Sequence, residues 1–167
     1  MPSRIEHRAE FTAPASRVHA ALVDRAFLDE RLRVLGGKGA ELTAYETTGD
    51  GVSYSLRQGL EASRLPSVVR TVAKGDLVVE RTETWSPDGS RFEGTTTAAV
   101  AGMPGEIKGR FRLTDTPTGS EWRTDAEVKV KIPLIGGKIE SVIAEQVRKL
   151  LASEAEFAAT WLADHPE

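Results

Sequence analysis

The chain has 167 residues, 40% of them hydrophobic and 28% charged, with a formal net charge of -3. That length fits one domain with one sizeable core, and the mildly acidic balance gives no electrostatic reason to expect nucleic acid or an anionic membrane as main partner. No cysteine is present, which removes disulfides, thiolate metal sites and cysteine nucleophiles together.

Met1 to Thr12 alternates charged and apolar residues and matches neither a signal peptide nor an arginine-rich transit segment. No apolar run approaches the eighteen or so residues of a spanning helix, so a soluble, cytoplasmic protein with no stable membrane insertion is expected. Within this stretch Ile5, His7, Ala9 and Phe11 face one way and Arg4, Glu6, Arg8 and Glu10 the other, the pattern of a half-buried strand over Arg4 to Thr12. Pro14 suits a first helical turn, and Val18, Ala21 and Leu22 give a short amphipathic helix. A second short helix is predicted over Arg25 to Leu35, anchored by Phe27, Leu28 and Leu32 and closed by Gly36-Gly37.

From Lys38 the period changes to two. Gly49-Asp50-Gly51 signals a hairpin between strands at Glu41 to Thr47 and Val52 to Glu61, the latter with Val52, Tyr54, Leu56, Gln58 and Leu60 on one face. Ser63 to Gly75 reads as a short helix or ordered loop, broken at Pro66, with Val68, Val69 and Val72 available to line a helical turn or a short strand. Turn signals at Ser86-Pro87-Asp88-Gly89, Gly102-Met103-Pro104-Gly105 and Thr116-Pro117-Thr118-Gly119 then separate strands at about Leu77 to Trp85, Arg91 to Ala101, Glu106 to Thr114 and Ser120 to Ile132. In the last two, Ile107, Phe111 and Leu113 oppose Lys108, Arg110 and Arg112, and Trp122, Ala126, Val128, Val130 and Ile132 oppose Arg123, Asp125, Glu127, Lys129 and Lys131.

Gly137 to Asp164 is a long helix. Ile139, Ile143, Val147, Leu150, Phe157, Ala158 and Trp161 share a stripe, and Arg148, Lys149, Ala152, Ala155, Glu156 and Ala159 fall opposite. At 1.5 Å per residue it runs roughly 40 Å, so its stripe needs a broad apolar partner. The whole is an α+β chain with an antiparallel sheet of about six to seven strands. A twisted sheet curls, and a straight helix laid in its concavity cannot touch it everywhere. The small inward residues Ala9, Gly94, Thr96, Ala98, Gly109, Thr124 and Ala126 leave room for a cavity; a tightly packed, shallow core is the competing expectation.

The run Lys131-Ile132-Pro133-Leu134-Ile135-Gly136-Gly137-Lys138-Ile139-Glu140, leading into Glu154, Phe157, Trp161 and Leu162, resembles the START-like helix-grip (SRPBCC) superfamily. The opening strand followed by Pro14, Val18, Ala21, Leu22 and Asp24 extends the likeness over nearly the whole chain. Within the superfamily the sequence is most similar to a bacterial branch of uncharacterised domains, domain of unknown function family 2505. The resemblance implies one START-like domain over residues 1–167, with a curved sheet gripping the C-terminal helix around a pocket for lipids, sterols, polyketides or other apolar molecules. The superfamily also holds cyclases, hydrolases and chaperone co-factors, so fold does not fix function. No catalytic residue set carries over to this sequence.

Among residues that could carry chemistry, His165 and His19 read as solvated surface, whereas His7 alternates in register with buried neighbours. No second histidine stands at metal-ligand spacing, so neither a metal nor a cofactor is expected. Glu154 falls within the apolar stripe of the long helix, where an unpaired carboxylate would cost several kcal/mol. A structural ion pair with an arginine, a polar anchor for a ligand, and general acid or base work are the three readings. Arg81 and Glu83 look inward if Leu77, Val79 and Trp85 set the phase of their strand; the other phase turns Val78, Glu80, Thr82 and Thr84 inward.

The candidate cavity residues are therefore His7, Tyr54, Gln58, Arg81, Glu83, Phe111, Trp122, Ile143, Val147, Leu150 and Glu154, with none assigned a catalytic role. Gly36-Gly37-Lys38-Gly39 lacks Walker spacing and a preceding parallel strand. Gly136-Gly137-Lys138 offers free N–H groups to an anion, although Glu140 in the first turn already complements the helix dipole. A Gly-x-Ser-x-Gly elbow is absent. Three functions compete: carriage of an apolar or amphipathic ligand, a cyclase- or hydrolase-like enzyme using the same pocket, and a protein-interaction module with a vestigial pocket.

Overall fold

The computed structural model describes residues 3–60, 66–71 and 75–166. Strand β1 (Ser3–Phe11) buries Ile5 and Phe11, half-buries His7 and Ala9, and leaves its charged residues in solvent. Pro14 serves as the N-cap of helix α1 (Ala15–Leu22), one position before the expected helical turn, and Ala15, Val18, Ala21 and Leu22 form the buried face. Helix α2 (Arg25–Leu35) is capped by Asp24, whose carboxylate accepts the Phe27 N–H at 3.0 Å. Gly37, at φ 78, turns the chain away from it.

Strands β2 (Glu41–Thr48) and β3 (Gly51–Leu60) meet at Gly49, whose φ of 60 fits a tight hairpin. Helix α3 (Ser67–Arg70) occupies the expected short helix and buries Val69. Residues 61–65 and 72–74, Val72 among them, and the side chain of Leu60 lie outside the described residues. Strands β4 (Leu77–Asp88), β5 (Arg91–Val100), β6 (Gly105–Thr116) and β7 (Gly119–Val130) follow, with turns tighter than the sequence signals suggested. β4 runs on through Pro87, which pairs with Phe92, and Ile132 falls beyond β7. These seven strands form one antiparallel sheet in the order β1-β7-β6-β5-β4-β3-β2. From β2 to β7 each strand pairs with its neighbour in sequence, α3 lying in the connection between β3 and β4, and β1 adds to the free edge of β7.

The residues filling the concave side divide by size. Trp85 stacks on Phe111 at a centroid distance of 5.1 Å, and Trp122 abuts both at 6.3 and 5.7 Å. A Cβ on Gly94 would meet Trp85 and Phe111 at 3.1 and 3.3 Å, so that glycine makes space for an aromatic stack and not for a cavity. Phe27 joins the same end through Phe157 and Trp161. His19 corrects its surface reading. It stacks on Phe92 at 4.0 Å, its Nε2 is buried without a partner, and burial lowers its pKa. At the other end the core is aliphatic: Ile5, Leu77, Val128, Val130, Ile139 and Leu151.

Helix α4 (Gly136–Asp164) lies across the concave face. A Cβ on Gly136 would meet the Val130 carbonyl oxygen at 2.7 Å, so the Pro-Leu-Ile-Gly-Gly junction needs a glycine there for the helix to start close to β7. Because the helix begins at Gly136, Glu140 lies past the first turn. It does not serve the helix dipole; its buried carboxylate accepts the Val130 N–H at 2.8 Å. The buried seam of α4 is rotated from the expected stripe: Ile139, Ala144, Leu151, Glu154, Ala158 and Leu162 are buried, while Ile143, Val147 and Leu150 are only half-buried. Ala155, expected opposite, packs against the aromatic end of the core.

Candidate functional site

Where the aromatic packing ends, a cavity of about 380 Å³ lies between the sheet and α4. Its sheet wall includes Gln58, Leu77, Val79, Arg81, Thr96, Ala98, Val100, Glu106, Ile107, Phe111, Thr124, Ala126, Val128 and Val130; α4 contributes Val142, Ile143, Gln146, Val147, Lys149, Leu150, Leu151 and Ser153. The small side chains at 96, 98, 124 and 126 keep this half of the concave face hollow. Gly109 contributes indirectly, since a Cβ there would meet the Cβ of Ala126 at 2.6 Å. Ile143, Val147 and Leu150 explain the misplaced stripe: they are apolar because they line a cavity, not because they are tightly packed.

Beside this cavity lies a buried network of two arginines and two glutamates. Leu77, Val79, Arg81, Glu83 and Trp85 share the inward face of β4, which settles the phase of that strand. Arg81 donates through Nε to Glu83 Oε2 at 2.8 Å and through Nη1 and Nη2 to the two Glu154 oxygens at 2.7 and 2.9 Å. Tyr54 donates to Glu83 Oε1 at 2.8 Å. Arg31, on the buried face of α2, approaches Glu83 and Glu154 at 3.7 and 3.8 Å. Only 2% of Arg31 and 1% of Glu154 are exposed. Two positive and two negative charges thus balance in a buried setting, where each would be untenable alone.

The titration behaviour follows from this arrangement. Burial pushes the Glu154 carboxyl up, but the charges of Arg81 and Arg31, the Arg81 hydrogen bonds and His7 outweigh it and hold the pKa at about 2. Burial opposes the charge on Arg81, yet Glu154 and Glu83 keep its pKa well above the usual value. Burial and the neighbouring Glu83 charge drive the Tyr54 phenol well above 10. His7 is lowered by burial, with Glu154 pulling the other way.

Of the sequence candidates, Gln58, Arg81, Phe111, Ile143, Val147 and Leu150 line the cavity. Tyr54, Glu83 and Glu154 do not; they form the ion network with Arg81. Trp122 belongs to the aromatic cluster, and His7 pairs in register with Thr124 at the edge of the sheet. Arg31 was missed, although it lies four residues after Phe27 and three after Leu28, on the face that the anchors of α2 define. Thr96 and Thr124 were recognised as small and not as polar wall groups. No set of three His, Asp or Glu side chains among the described residues is placed to hold a metal ion. Arg81, within the wall, is committed to carboxylates.

A curved antiparallel sheet holding a long C-terminal helix, with short helices after the first strand, is the helix-grip architecture of START-like proteins. The chain matches a START superfamily protein from Mycobacterium smegmatis with a TM-score of 0.56 and 15% identity, over 95% of this chain and 98% of that one. It matches norcoclaurine synthase from Thalictrum flavum with a TM-score of 0.65 and 16% identity, over 99% and 88%. At such identities the likeness carries the fold alone. The chain belongs to the family described as protein of unknown function (DUF2505), whose model matches residues 6–162. Uncharacterized protein Rv0481c of Mycobacterium tuberculosis (strain ATCC 25618 / H37Rv) is 29% identical over 176 residues, covering 99% of both chains.

Proposed function

We propose that this protein binds and carries an apolar or amphipathic small molecule, lipid-, sterol- or polyketide-like, in the cavity between the sheet and α4. The observation that carries the reading is the apolar cavity of about 380 Å³ with few polar groups in its wall. That volume falls within the ordinary range for small-molecule sites, roughly 300–1,000 Å³. The helix-grip fold supports it as well.

Carriage is favoured over catalysis by the state of the ionisable groups. Tyr54, Arg81 and Glu154, the natural acid–base candidates, are engaged with one another, and His7 does not line the cavity. The norcoclaurine synthase likeness shows that the architecture can house an enzyme, but among the described residues the acid and base that border this cavity, Glu106 and Lys149, are exposed side chains. Native mass spectrometry of protein purified from its own host tests the reading directly. A retained small molecule of defined mass, lost on organic extraction, is the expected result. No adduct, together with no thermal stabilisation by fatty acids, sterols or polyaromatics, would shift the assignment to a protein-interaction module.

A further inference from the structure

We infer that the polar group of the cavity's ligand is uncharged and hydrogen-bonding, such as an alcohol or ketone, and that Gln58 and Thr96 select it. The inference rests on the cavity being a ligand site and names the chemistry of its ligand. It starts from the strand register. Arg81 pairs with Leu56 on β3 and with Ala98 on β5, so Gln58 and Thr96 are its diagonal neighbours on either side. Diagonal neighbours in a sheet lie about 7–8 Å apart, within reach of side chains. The three residues therefore make one polar stripe across a mostly apolar wall that also holds Ile143, Val147 and Leu150 of α4.

What each member of the stripe can still offer decides the ligand. Arg81 has its guanidinium turned to Glu83 and Glu154, and Arg31 completes the charge balance. Within this stripe, therefore, no described positive charge is left over for an anion and no described carboxylate for a cation; Lys149 and Glu106, which also border the cavity, are exposed and stand outside the stripe. Gln58 and Thr96, exposed by only 7% and 8%, make no hydrogen bond to another described residue. A carboxamide and a hydroxyl each donate and accept, which suits a neutral head of either polarity. A carboxylate seated there would lose its water beside Glu83 and Glu154 without gaining a counter-charge, and an ammonium would lose its water beside Arg81. Sites built from hydrogen-bonding groups discriminate strongly because the wrong ligand leaves them unpaired.

A matched series with one apolar body tests this. Decanol, methyl octyl ketone, decanoate and decylamine compete against the neutral fluorophore N-phenylnaphthylamine at about pH 8, where the acid and the amine are both charged. The alcohol and ketone should displace the probe at roughly ten-fold lower concentration than either charged member. Gln58→Leu and the near-isosteric Thr96→Val should each weaken the alcohol and ketone several-fold more than they weaken the probe, and should melt no lower than the wild type. Decanoate or decylamine displacing as well as decanol would overturn the inference and leave the cavity as a ligand site. Unchanged preference in both variants would overturn the roles of Gln58 and Thr96. Failure of the probe and of every member to bind would overturn the ligand site itself, and this inference with it.

Discussion

Glu154 is the residue on which the interior electrostatics turn. Its carboxylate accepts two hydrogen bonds from Arg81 and faces Arg31 from α2, His7 from β1 and, through Arg81, Glu83 and Tyr54. Glu154→Gln keeps the shape and removes the charge, leaving two buried guanidiniums against one carboxylate. Urea melts at neutral pH should show a loss of about 3–5 kcal/mol. Acid has the same effect by another route. The carboxyl titrates near 4.5 when unfolded and at about 2 when folded, so its contribution is complete above pH 4.5 and disappears as the pH falls toward 2. His7 and His19, both lowered by burial, begin the decline earlier, as the pH drops through 6.5. Melting temperature against pH should therefore fall in two stages, and Glu154→Gln should abolish the lower one while keeping the upper.

At the scale of elements, α4 shows what apolar periodicity can and cannot tell. A helical stripe records every residue that avoids water, whether packed against protein or lining a hollow. The long helix was legible from its spacing, and so were the seven strands, because alternation along β1, β6 and β7 matches one buried and one wet face. The seam was not, because Leu150 and Leu151 are equally apolar and only packing separates them. Leu151→Ala should cost about 2–5 kcal/mol as an ordinary core truncation. Leu150→Ala should cost less than about 1 kcal/mol in the same melts, since the cavity beside it already lacks contacts to lose. Equal losses at both positions would mean that the cavity side of α4 is packed. Polar residues were legible only in part. Arg81 and Glu83 announced themselves as charges in step with Leu77 and Trp85, but Arg31 was hidden on a short helix whose anchors drew attention first. Which charge meets which is a tertiary fact that one-dimensional spacing does not encode.

For the molecule as a whole, the division of the concave face into an aromatic end and a hollow aliphatic end is the organising feature. The hollow depends on small residues at a few inward positions, so filling it should trade binding for stability. Ala98→Leu places a larger side chain in open space lined by Val79, Val100 and Ile107. Thermal unfolding should show a gain of about 0.5–2 kcal/mol, as cavity-filling changes do, and displacement of an apolar probe should be lost. A destabilised variant that still binds would mean that the wall at Ala98 has no free volume.

The placement of β1 beside β7 has a consequence for how the chain reaches this shape. Ile5 pairs with Ala126, more than a hundred residues later, whereas every other strand pairing in the sheet joins sequence neighbours. The pairings from β2 to β7 join sequence neighbours and can assemble locally, but β1 must wait for its partner and bears the largest loop-closure entropy of any strand pairing. Its docking is therefore expected to fall after the rate-limiting barrier. Ile5→Val should accelerate unfolding while leaving the refolding rate nearly unchanged in a stopped-flow chevron.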